Sequence, residues 1–131
     1  MALVISALMV AVGFSAAPAY AAATSTFDEV SPRGETSGSF TWHNRSISVQ
    51  GSVCDYYGGN GSTTAVFQFY LTRDGAVPDN SIFYAEQTRT TNGSCRSFNF
   101  TQEGPPGGIQ SITVQVCHPS MACYINTYNR P

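Results

Sequence analysis

Two histidines, four cysteines and eight carboxylates are the residues of this 131-residue chain best suited to chemistry. His43 and His118 could each act as base to a serine nucleophile only with an orienting acid alongside. The G-x-S-x-G elbow is absent, and nothing in the sequence points to a triad. Glycoside hydrolysis needs two carboxylates flanking one bond. Asp28, Glu29 and Glu35 fall in a polar leader, while Asp55, Asp74, Asp79, Glu86 and Glu103 fall mostly at turns, where acids serve the backbone. Cys117, His118 and Cys123, with His43, have the residue types of a zinc site. In an exported chain such thiols pair with one another instead. These eliminations leave a non-catalytic protein with no metal and no cofactor.

Residues suited to binding are better represented. Tyr56 and Tyr57 precede Gly58-Gly59-Asn60-Gly61, a strong turn signal, so at least one ring is directed outward. Amphipathic aromatics in such places anchor protein partners or stack on sugars, and Trp42 is a further sugar-platform candidate. Cys117 and Cys123 bracket His118, Pro119, Ser120, Met121 and Ala122, a spacing within reach of a bridge that would make the loop rigid. A rigid loop binds without a large ordering cost, which is what a protease inhibitor requires. Phe27 and Val30 are isolated apolar residues in the polar stretch from Thr24 to Gly38. An extended arm with two such anchors can occupy a partner's groove or sheet edge.

The elements that position these residues are strands. Ile112, Val114 and Val116 alternate with Thr113 and Gln115, and a return run from Tyr124 to Tyr128 completes a terminal hairpin. Phe40 and Trp42 alternate before His43-Asn44-Arg45, and Ile47, Val49 and Val53 follow in a second alternating run. Residues 64–72 carry Ala65, Phe67, Phe69 and Leu71 on one face and Val66 and Tyr70 on the other, as expected of a central strand covered on both sides. Residues 82–88 and 95–100 supply two more strands about the Asn92-Gly93 turn. About seven strands and no helix predict an all-β, disulfide-stapled sandwich of immunoglobulin-like architecture, carrying an extended N-terminal arm. The tryptophan precedes the first cysteine, where a true immunoglobulin domain places it between the two, so only the architecture is expected.

Residues 1–22 are apolar and end in small residues, which reads as a signal peptide for secretion to the extracellular space. Residues 23–37 then form the polar arm and 38–131 a single domain. Four cysteines allow three connectivities. The favoured pairs are Cys54 with Cys95, stabilising by about 4 kcal/mol, and Cys117 with Cys123, by about 2.5 kcal/mol. The six basic residues are all arginine, and they are scattered through a chain of net charge −2. No basic patch results, which argues against nucleic acid and against an anionic membrane.

The runs Ser46 to Asp55 (SISVQGSVCD), Asn92 to Phe100 (NGSCRSFNF) and Pro105 to Cys117 (PPGGIQSITVQVC), with a last cysteine near the C-terminus, carry a family likeness. Together they resemble the small secreted proteins of Streptomyces-type actinobacteria, including the adaptor subunits of umbrella toxin particles. The resemblance implies an adaptor linking subunits of an antibacterial toxin complex, with one partner on the arm and another on the domain. Beside it stand a protease inhibitor presenting the Cys117 to Cys123 loop and a carbohydrate-binding module using Tyr56, Tyr57 and Trp42.

Overall fold

The computed structural model describes residues 22–131, so the signal-peptide segment lies, but for Ala22, outside the described residues. Eight antiparallel strands form two four-stranded sheets: β1 (Ala23–Val30), β2 (Gly34–Trp42), β3 (Ile47–Asp55), β4 (Thr63–Tyr70), β5 (Phe83–Thr91), β6 (Cys95–Gln102), β7 (Ser111–His118) and β8 (Met121–Asn129). One sheet runs β1-β2-β3-β6 and the other β5-β4-β7-β8. The all-β sandwich is as expected, with β4 central in its sheet. The expected cover on the other face of β4 is only partial: Thr64, Val66 and Gln68 are half-buried by neighbouring strands, and only Tyr70 is buried.

The N-terminal segment is not a free arm. Residues 23–30 pair along their whole length with β2, and the Ser31 side chain closes the intervening turn by donating to Gly34 O (3.0 Å). Phe27 is a core residue stacked on Phe40 at 4.6 Å, so it is unavailable as a docking anchor, while Val30 is exposed. The extra strand raises the count from seven to eight. Trp42, the proposed sugar platform, is wholly buried and donates its indole N–H to Ser25 Oγ across to β1 (3.0 Å).

The core is built on a row that crosses the first sheet: Phe27, Gly38, Gly51, Phe98. The two glycines let β2 and β3 draw together. A Cβ at Gly38 would lie 2.0 Å from Gln50 O, and one at Gly51 would lie 2.1 Å from Ser37 O. From the opposing sheet, Phe67 meets Phe27 at 5.6 Å and Phe98 at 5.3 Å, both edge-on, which seats its ring above the glycine pair. Edge-to-face contacts of this kind add to the burial of the rings themselves.

Where the sheets meet at their edges, polar groups close the seams. Tyr128 of β8 donates to Glu29 Oε1 of β1 (2.5 Å), and Arg89 of β5 lies over the Phe100 ring of β6 at 4.4 Å. At the chain's end, Arg130 donates to Ile109 O and His43 O (both 2.7 Å) and covers Trp42.

Both favoured disulfides are present, each between neighbouring strands of one sheet. Cys54–Cys95 joins β3 to β6 within the first sheet (Cα–Cα 4.0 Å), whereas an immunoglobulin bridge spans the two sheets. It pins the points where the chain leaves that sheet for β4 and β5 and where it returns. Cys117–Cys123 links β7 to β8 beside their turn.

Two predictions follow from the packing. Gly51→Ala is expected to lower unfolding stability by about 3 kcal/mol, because backbone on the facing strand must move to admit a methyl group; urea denaturation measures it. The second concerns Tyr128, whose hydroxyl is pushed up to about 12 by burial and by its bond to the Glu29 carboxylate. A raised value means that the contribution to stability is complete below the ordinary tyrosine value of 10.0 and is lost as pH rises through about 12. Absorbance titration of the tyrosines is expected to lose its highest-pH step in Tyr128→Phe.

Candidate functional site

Antiparallel succession puts four connections at one end of the sandwich: the turn at 31–33, the loop at 56–62, the turn at 92–94 and the turn at 119–120. They are tied to one another. Tyr56 N–H donates to Arg33 O (2.9 Å), and Gly59 N–H donates to Asn92 Oδ1 (3.1 Å). The Asn92 amide in turn reaches Gly59 O (3.3 Å) and Gly61 O (3.4 Å). Gly61, at φ +107°, passes so close to the last turn that a Cβ would lie 3.1 Å from Pro119 Cγ and 3.2 Å from His118 Cε1.

Asp55 is the hub of this arrangement. It ends β3 on the inward face and is buried, yet its carboxylate is well partnered. Oδ2 accepts from Gly93 N–H (2.8 Å) and Oδ1 from the Thr63 hydroxyl (3.1 Å). The Gly93 N–H is the strongest influence holding the carboxyl below its ordinary value of 3.8; burial opposes it, and Thr63 with the Gly58 and Tyr57 amides reinforces it. One buried charge thus fixes the turn at 92–94 to the loop at 56–62.

Above this base the rings of Tyr56 and Tyr57 stand 6.5 Å apart and nearly perpendicular (82°). Tyr57 is 68% exposed, and the Arg33 guanidinium lies 5.2 Å from its ring centroid. Arg33, Tyr57, Gly58, Gly59, Asn60 and Ser120 line an open cleft of about 540 Å³. With the two rings perpendicular and Trp42 buried, Tyr56, Tyr57 and Trp42 do not together form a flat row for a sugar chain to lie on.

The structure thus gathers Val30, Tyr56, Tyr57, His118, Pro119, Ser120 and Met121 toward this end, and leaves Phe27 in the core. Arg33, Asn60 and Asn92 join them unannounced by the sequence. The signal for Arg33 was there in Ser31-Pro32-Arg33-Gly34, a turn composition within what reads as a leader.

The terminal hairpin is tighter than its cysteine spacing suggests. His118 pairs with Met121, so the connection is only Pro119-Ser120, and Met121 to Cys123 already belong to β8. His118 is buried, with Nδ1 taking the Ser120 N–H (3.2 Å) and contacting the Ser120 hydroxyl (2.7 Å). Because Nδ1 accepts from a backbone amide, the imidazole acts as a local brace for the turn. Among the described residues, no cluster of three or more His, Cys, Asp or Glu is placed to hold a metal ion.

No protein-family model matches this chain, and neither does any curated protein or solved structure. The geometry alone therefore describes the site: a braced, partly aromatic end with one guanidinium beside an open cleft.

Removing the hub is expected to loosen it. Asp55→Asn should cost about 2 kcal/mol at neutral pH, the scale of a charged hydrogen bond lost in a buried place. Because the folded value is depressed, the Asp55 contribution is present above 3.8 and is lost as pH falls through the lower folded value. Thermal melts across that acid range should show a decline in the parent protein that is shallower in Asp55→Asn.

Proposed function

We propose that this chain is an exported, non-catalytic binding domain that docks a protein partner through its loop end and serves as an adaptor between secreted subunits. The observation that carries this reading is the convergence of Tyr56, Tyr57, Arg33, Pro119 and Ser120 on turns braced by Asp55 and flanked by both disulfides. Tyrosine and arginine dominate the energetics of protein interfaces, above all when they are held in place before contact. Two disulfides in so small a domain are typical of extracellular proteins. The apolar segment at 1–22, ending in small residues, supports export by the same route.

The assembly we propose is the one implied by the sequence resemblance, an antibacterial toxin particle secreted by an actinobacterium. Docking falls to the loop end and not to an N-terminal arm, since β1 is a sheet strand whose removal would strip Phe27 from the core.

The test is affinity purification of the tagged protein from its own culture supernatant, followed by mass spectrometry and by titration of any stoichiometric partner. Tyr57→Ala is expected to weaken the partner's binding by about 2 kcal/mol, roughly thirtyfold, with Arg33→Ala acting in the same direction. Thr88→Lys, on the outer face of β5, should leave binding unchanged. Undiminished binding when Tyr56, Tyr57 and Arg33 are all replaced by alanine would refute the reading.

A further inference from the structure

A sandwich of two open sheets has four edge strands, here β1, β6, β5 and β8. An open edge is a template for another strand, and natural proteins blunt it with charge, proline or a bulge. Three of these edges are blunted. On β1, Glu29 points inward with Phe27 and is held by Tyr128, and Asp28 points outward. On β5, Arg89 points inward over Phe100, Glu86 lies on the outer face, and the pairing with β4 is bulged at Phe69/Tyr70. On β6, Arg96 shares the inward face of Phe98 and Phe100.

The fourth edge has no charge and no proline, and its one irregularity, a register shift at Val116/His118, is confined to the end beside the turn. From Met121 to Asn129, MACYINTYN, β8 carries neither a charge nor a proline for nine residues. Residues 122–126 are all exposed, among them Tyr124 at 43% and Ile125 at 58%. The bond from Arg130 N–H to Gln110 O (2.8 Å) sets the phase of the β7–β8 ladder. In that phase Tyr124, Asn126 and Tyr128 turn their backbone groups to β7, while Cys123, Ile125 and Thr127 turn theirs outward. Of the outward donors, the Thr127 N–H is occupied by its neighbour Asn126 Oδ1 (2.9 Å).

We infer that β8 pairs antiparallel with β8 of a second copy of this chain, joining two sheets into one continuous eight-stranded sheet across a two-fold axis at Ile125. The strand's own chemistry selects a second copy. A two-fold at Ile125 sets Ile125 against Ile125 and Cys123 against Thr127, so the Ile125 and Cys123 N–H groups meet outward carbonyls while the Thr127 N–H stays with Asn126. Because β8 is uncharged, the two copies bring no like-charge opposition across the new ladder. The contact also buries the two Ile125 side chains on one face and the two Tyr124 rings near the other. The open groove on this face runs from Ala76 and Val77 across Gln68 and Gln115 and reaches the edge strand itself at Ile125 and Thr127. Antiparallel pairing would direct the two loop ends to opposite poles. The inference nevertheless rests on the edge alone, and not on what those ends bind.

Sedimentation velocity of the purified, disulfide-bonded protein over a micromolar to millimolar range tests it. A reversible monomer–dimer equilibrium is expected. Ile125→Lys removes an apolar contact and sets two like charges face to face, and should weaken the dimer roughly tenfold or more. Thr127→Lys should act in the same direction and stands in if the first variant melts abnormally. Thr88→Lys on the β5 edge should leave the dimer as it is. A monomer throughout the range, or a dimer indifferent to both β8 lysines, overturns the inference.

Discussion

The close approach of Gly38 and Gly51 is the constraint on which the rest of the sandwich depends. Strands that carried side chains at both places could not lie so near, because a Cβ at either would fall within bonding-scale distance of the facing carbonyl. The missing side chains leave a depression in the inner face, bounded across the sheet by Phe27 and Phe98. Phe67 fills it from the other sheet, and Phe40 and Phe100 extend the ring cluster on either side. A row of large, absent, absent, large is an efficient shape for receiving one ring, and it fixes how the two sheets sit on each other. It also explains why β1 is indispensable: without Phe27 the depression has one wall.

From that core, order passes to the loop end through buried polar groups. Val53 and Asp55 follow Gly51 on the same inward face of β3, so the strand that holds the glycine also delivers the carboxylate to the top of the core. Thr63 begins β4 opposite it, two residues before Ala65 and four before Phe67. The hub of the turns is therefore anchored by the strand that supplies the Phe67 ring and the strand whose Gly51 makes room for it. The bridges add a second restraint at the same end. Cys54 and Cys95 lie on the outward face of one sheet, and Cys117 and Cys123 on the outward face of the other. The turns are clamped from both sides, while the inner face between them needs only Asp55 and His118.

How far the sequence foretells this depends on what fills the inward positions. From β3 onward most strands are readable, because Ile47, Val49 and Val53, then Ala65, Phe67 and Phe69, then Ile112, Val114 and Val116, alternate as apolar residues should. β1 and the first half of β2 are not readable, for a physical reason. The inward positions of β1 are Ala23, Ser25, Phe27 and Glu29, and those of β2 begin Gly34, Thr36 and Gly38. Small and polar residues there serve the glycine depression, the Trp42 hydrogen bond and the Glu29–Tyr128 seam, and none of these is a local property of the segment. Composition alone makes such a stretch look like a leader. At the loop end the exposed tyrosines and the terminal hairpin could be read locally, whereas Arg33 and Asn92 come from turns far apart in sequence and depend on sheet order for their place.

The same logic separates the two kinds of surface this domain offers. At the loop end, rigidity is assembled from long-range contacts, and the exposed groups are tyrosine rings and a guanidinium, the groups that the proposed docking would use. Along β8 nothing is assembled: beyond the register shift beside the turn the strand is regular, uncharged and open, and in the pairing we infer its backbone is the binding group. Elsewhere the fold places an inward charge at an edge, with Glu29 beneath Tyr128, Arg89 over Phe100 and Arg96 beside Val53. Glu29 is buried and Arg89 half-buried, placements that cost stability unless they serve some end, while Arg96 is exposed. A fold that sets a charge on the inward side of three edge strands and none on the fourth treats that fourth edge differently. Tyr124, Asn126 and Tyr128 occupy the corresponding inward positions of β8 without charge, and Tyr128 even supplies the hydroxyl that satisfies the charge of its neighbour β1. Sealing one edge of this seam thus leaves the other uncharged, so protection of β1 and openness of β8 are two results of a single side-chain pairing.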